Sequence, residues 1–79
     1  MRKIEQQMIE AIKAKKTWSL NNTAVIYDKV CDESYVFLHG NQLGWFNYEK
    51  DAFEMWRPTY ERYPTRTTKS RLRALGVRI

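Results

Sequence analysis

The hydrophobic period changes twice within 79 residues, and each change restricts what the local chain can become. From Met1 to Lys16 the apolar residues Met1, Ile4, Met8, Ala11 and Ile12 recur at helical spacing with no proline or glycine among them. That is the pattern of an amphipathic helix, and Lys13, Lys15 and Lys16 complement the negative end of its dipole. Beyond Trp18 the period becomes two. Thr23, Val25 and Tyr27 alternate with Ala24 and Ile26, and Val36 and Leu38 alternate with Tyr35, Phe37 and His39, which predicts strands over Thr23 to Asp28 and Tyr35 to His39. Helical spacing returns after Pro64. There Thr67 or Thr68 can cap a last helix, Leu72 and Leu75 face the core, and Gly76 supplies a left-handed stop. The expected fold is a single α+β domain over residues 1–79: an N-terminal helix, a three- or four-stranded antiparallel meander and a short C-terminal helix.

Between the helices the turn residues set the detail. Asn21-Asn22 is a turn signal. Gly40-Asn41 suits a type II′ hairpin, because glycine takes the positive φ required at the first central position. Counting outward from it pairs His39 with Gln42, Leu38 with Leu43, Phe37 with Gly44, Val36 with Trp45 and Tyr35 with Phe46. This register puts Val36, Leu38, Leu43 and Trp45 on one apolar face, with Phe37 over the bare backbone of Gly44. Ala52 to Trp56 is read as a fourth strand with Phe53 and Met55 inward, the alternative being a helical turn starting at Asp51. Pro58 and Pro64 bracket Thr59 to Tyr63, where a loop is expected because the residue before a proline is pushed out of the helical region.

Size and composition limit the function classes. A chain this short buries only about 60% of its unfolded surface, so every large apolar side chain has a prior claim to be core. With 43% hydrophobic residues the chain escapes the low hydrophobicity of disorder. A single cysteine, Cys31, forms no internal disulfide, which favours a reducing, intracellular setting. There is neither a signal-peptide core nor an apolar run of about 18 residues, so no membrane partner is expected.

Little in the sequence points to catalysis. His39 is the only histidine, and with Cys31 it lacks the paired ligand spacing of a zinc site. The glycines, Gly40, Gly44 and Gly76, are too scattered for a phosphate loop. Asp28, Asp32, Glu33, Glu49, Asp51 and Glu54 have no paired-carboxylate spacing. They read as solvated loop charge or as an acidic patch facing a partner. No enzyme activity, metal or cofactor is expected.

Charge is unevenly distributed. Residues 1–16 carry +3, residues 17–61 carry −4 and residues 62–79 carry +6, with no acid in the last stretch. The run from Thr59 to Gly76 interleaves tyrosines with guanidinium groups and places Thr and Ser hydroxyls ahead of a helix, a composition suited to phosphate or to an acidic protein. Trp18, Trp45 and Trp56 invite an interface reading, since aromatics and arginine dominate binding hot spots. Of these, Trp56 alternates away from Phe53 and Met55 and should be exposed. The candidate partner-binding residues are therefore Trp56, Tyr60, Arg62, Tyr63, Arg66, Lys69, Arg71 and Arg73, with the cations of the last helix expected to be accessible.

An N-terminal amphipathic helix, Asn22-Thr23 opening a strand, Leu38-His39-Gly40-Asn41 at a hairpin and Thr65-Arg66-Thr67-Thr68-Lys69-Ser70-Arg71-Leu72 near the end occur together in this chain. In that combination it resembles a family of small tailed-bacteriophage proteins. The resemblance implies production in the cytoplasm of an infected bacterium. It also implies a non-enzymatic protein that binds and inhibits or modulates a host enzyme or defence complex. The alternative from the residues themselves is a nucleic-acid binder using the C-terminal cations on phosphates. DNA mimicry is disfavoured by the net charge of +5.

Overall fold

The computed structural model describes residues 1–79. A helix α1 (Lys3–Lys13) precedes five strands, β1 (Trp18–Leu20), β2 (Thr23–Asp28), β3 (Glu33–Leu38), β4 (Asn41–Asn47) and β5 (Ala52–Met55), followed by two helices, α2 (Arg57–Arg62) and α3 (Arg66–Ala74). The strands form one antiparallel meander in chain order. The α+β class agrees with the sequence, whereas the sheet has five strands against the three or four expected and a second helix precedes the expected C-terminal one.

Both differences have local causes. β1 has only three residues, too few to show an alternation, and it is set by the turn at Asn21-Asn22, which pairs Leu20 with Thr23. Asn21 takes φ 53° there, a conformation that asparagine tolerates. In α2, Pro58 sits in the first turn. At that position its missing N–H is not needed, and its fixed φ is already helical. Thr59 to Arg62 therefore belong to a helix and not to the expected loop. The cap of α3 also lies earlier than expected, at Thr65, whose Oγ1 accepts from the Thr68 amide at 3.2 Å. At its other end Gly76 (φ 96°) donates to the Arg73 carbonyl and Val77 to that of Leu72, both at 3.0 Å. These are the two bonds of a Schellman stop.

The β3–β4 turn decides which side chains reach the core. Its central residues are His39 (φ 52°) and Gly40 (φ 79°), so the turn is type I′, not the expected II′. Histidine accepts the left-handed region more readily than most side chains, and the His39 amide is held by the Asn22 carbonyl at 2.8 Å. Leu38 consequently faces Asn41 and Phe37 faces Gln42; the ladder then shifts so that Val36 faces Gly44 and Tyr35 faces Trp45. Leu43 is the additional residue of this bulge. Without it, the alternation would send Trp45 inward. With it, Trp45 moves to the far face and Phe46, opposite Ser34, packs against the core. The expected apolar set keeps Val36, Leu38 and Leu43 and loses Trp45.

Helices cover one face of the sheet only. Met8, Ala11 and Ile12 of α1 and Leu72 of α3 enclose Val25, Val36, Leu38 and Leu43, and Phe53, Met55 and Tyr60 pack around them. At Gly44 the neighbouring strand approaches so closely that a Cβ would lie 2.1 Å from the Glu54 carbonyl oxygen. β5 can sit there only because that residue is glycine.

Candidate functional site

The cationic C-terminal run divides once it folds. Arg71 is 3% exposed and Glu5 equally so. The Arg71 guanidinium donates from Nη1 to Glu5 Oε2 at 2.8 Å, from Nε to Thr23 Oγ1 at 3.0 Å and from Nη2 to Asn22 Oδ1 at 3.4 Å. The Ser70 hydroxyl donates to the same Glu5 oxygen at 2.5 Å, and the Arg2 amide to the other at 3.4 Å. Burial would raise the Glu5 carboxyl, but the bonds from Ser70, Arg71 and Arg2 outweigh it and hold the group below its ordinary value. This corrects the expectation that Arg71 stays accessible. A buried acid on α1 lies beside it, and together they tie α1, α3 and the β1–β2 turn.

The other candidates separate too. Tyr60 packs against the core. Arg62 is exposed and lies over the Tyr63 ring at 5.7 Å, and Arg73 is exposed with Nε bonded to the Ile79 carbonyl at 2.9 Å. Arg66 is exposed and Lys69 half-buried. Tyr63 lines a pocket of about 380 Å³ with His39, Asn41, Thr59 and Thr67, which brings the hairpin motif and the Thr-rich motif together. Trp56, 48% exposed as expected, stands apart from these. It follows Met55 on the opposite side of β5 and joins the face that no helix covers.

That face is aromatic and acidic. Ile26, Tyr35, Trp45 and Glu54 form one cross-strand row, while Ala24, Phe37 and Gln42 form the next. Asp28 and Glu33 are paired at its edge. Carboxylates hold the aromatic edges: Trp45 Nε1 donates to Glu54 Oε2 at 3.2 Å and the Tyr35 hydroxyl to Glu33 Oε1 at 3.1 Å. The bond to Glu33 raises the Tyr35 hydroxyl, and Asp28, with Glu33 adding to it, raises the nearby Cys31 thiol. Both shifts follow from concentrated negative charge.

Residues 1–78 match the family model of the Kyanoviridae Gp96 protein. The chain belongs to that family. Kyanoviridae Gp96 proteins are phage proteins, so the resemblance drawn from the motifs holds at the level of a phage family. No curated protein and no solved structure matches the chain.

In this Gp96-family fold the groups most like a catalytic cluster are Lys15, Asp32 and Tyr27. Lys15 Nζ lies 2.9 Å from Asp32 Oδ1, and the Tyr27 hydroxyl donates to the same oxygen at 2.7 Å. The bond to Asp32 raises both Lys15 and Tyr27, and the same two bonds lower Asp32. The cluster joins the end of α1 to the β2–β3 hairpin. No three His, Cys, Asp or Glu side chains gather as metal ligands, and no helix is long and apolar enough to cross a membrane. The sequence reading missed Tyr35, Trp45, Glu33 and Gln42 as surface partners of Trp56. Tyr35 carried the available signal, since it alternates with the core residues Val36 and Leu38.

Proposed function

We propose that this phage protein is a non-enzymatic binding protein that inhibits or modulates a host enzyme or defence complex, docking its target on the uncovered face of the sheet. One observation carries this reading. The core-facing helices lie on one side, and the other side presents Ile26, Tyr35, Phe37, Trp45 and Trp56, with Ile26 and Trp56 each close to half exposed. In a chain of 79 residues, where apolar side chains are needed for the core, an apolar patch turned outward is characteristic of an interaction site. Tryptophan and tyrosine are also the residues that most often anchor interfaces.

Charge separates this reading from the nucleic-acid one. Asp28 and Glu33 border the aromatic face without an ion-pair partner and repel phosphate, so stacking of bases there is opposed by the field, while Glu54 beside them is paired with Lys50. The exposed cations Arg62, Arg66 and Arg73 belong to α2 and α3, and Arg71 is already neutralised by Glu5. The test is affinity capture from a lysate of the host with and without nuclease. Wild type should retain a protein partner after nuclease treatment, Trp56→Ala should lose it, and an Arg66→Ala, Arg73→Ala double variant should keep it. A partner lost with nuclease and with the arginines, and kept by Trp56→Ala, would favour phosphate binding.

A further inference from the structure

Resting on the proposal that the open face docks a protein, we infer that the cleft between Tyr35, Trp45 and Trp56 is a receptor for an arginine side chain of that partner. The cleft has a volume of about 350 Å³ and is lined by Glu33, Tyr35, Gln42, Trp45 and Trp56. Three aromatic rings, a carboxylate and an amide oxygen make a lining with no cation of its own. The face of an aromatic ring attracts positive charge, tryptophan most strongly, and a carboxylate beside it supplies the counter-charge.

The polar edges of the Tyr35 and Trp45 rings are already used. The Tyr35 hydroxyl donates to Glu33 and the Trp45 indole N–H to Glu54, which fixes both rings where they line the cleft. Glu33 takes part in none of the ion pairs of the fold, which join Lys15 to Asp32, Lys50 to Glu54 and Arg71 to Glu5. The two internal cation–π contacts lie elsewhere, Lys15 on Tyr48 and Arg62 on Tyr63. Arginine fits better than lysine because its planar, weakly hydrated guanidinium stacks on indole and presents a donor fork to a carboxylate. A bare ammonium gains the ring attraction without the stacking.

The test is an NMR titration of the full chain with three blocked peptides that differ at one position, arginine, lysine or citrulline. The arginine peptide should shift the indole N–H signals of Trp45 and Trp56, leave that of Trp18 in place and saturate. Lysine should bind several-fold more weakly, and citrulline, which keeps the shape and loses the charge, at least tenfold more weakly. Trp56→Ala should weaken the arginine peptide at least tenfold. Because Trp56 is exposed, an unchanged circular dichroism spectrum will separate loss of the receptor from loss of the fold. Glu33→Gln should weaken it several-fold with the rings intact. Equal binding of citrulline and arginine, or no effect of Trp56→Ala, would overturn the inference. So would concentration-dependent shifts of the same signals without peptide, which would assign the cleft to a second copy of this chain. If the peptides fail while nuclease-resistant capture still depends on Trp56, the arginine receptor is wrong and the docking face stands.

Discussion

Arg71→Ala should be the most damaging change among the C-terminal cations. The guanidinium it removes is 3% exposed and bonds to Glu5, Thr23 and Asn22. Truncation would strand the Glu5 carboxylate in the core with only the Ser70 hydroxyl and the Arg2 amide. Removing one partner of a buried ion pair costs about 3–5 kcal/mol, most of it the penalty of the charge left behind. For a chain of 79 residues the whole stability is on the order of 4–12 kcal/mol, at roughly 0.05–0.15 kcal/mol per residue. The variant should therefore lose a large fraction of its folding free energy. Arg73→Ala is the control: Arg73 is exposed, and its loss should stay within about 0.5 kcal/mol. Urea titration of the two variants provides the comparison, and a Glu5→Met, Arg71→Met double variant separates charge from packing, because exchanging both partners for apolar groups is often nearly neutral. Equal midpoints for Arg71→Ala and Arg73→Ala would refute the buried bridge.

The same bridge makes stability depend on acid. Since the folded Glu5 carboxyl lies below its ordinary value, its contribution is complete above the unfolded value, about 4.3, and is lost as the pH falls through the folded one; Glu5→Gln should flatten that limb of a stability–pH curve. Gly44→Ala should displace β5, since the new Cβ would meet the Glu54 carbonyl oxygen at 2.1 Å, with loss of hydrogen-exchange protection in Ala52 to Met55 as the readout. Leu72→Ala, at a fully buried position, should cost about 2–5 kcal/mol in denaturant titration.

Period and turn chemistry made much of the fold legible. The helical spacing before Lys13, the alternation from Thr23 to Asp28 and the glycine stop at Gly76 each depend on residues adjacent in sequence, and each element formed where its pattern lay. What local pattern could not supply was parity. One bulged residue at Leu43 reverses every side chain after it, and this is why Trp45 stands on the open face although simple alternation places it with Val36 and Leu38. The effect of Pro58 depends on where a helix starts, and nothing in the local sequence marks that start, so a proline that opens α2 has the same local signature as one that breaks a helix. The burial of Arg71 is not legible locally, because its acid lies 66 residues away on α1, a distance no spacing rule covers. The exposure of Trp56 is legible because it needs only the alternation of β5, while its neighbours in the cleft come from β3 and β4 and are assembled by pairing alone.

The docking face can be tested directly by photocrosslinking in infected host cells, with p-benzoylphenylalanine placed at Ile26 on the open sheet face or, in a second variant, at Arg73 on α3. A discrete protein adduct from position 26, abolished by Trp56→Ala and absent from position 73, is the predicted result. Adducts from position 73 alone, whether to protein or to nucleic acid, would contradict it.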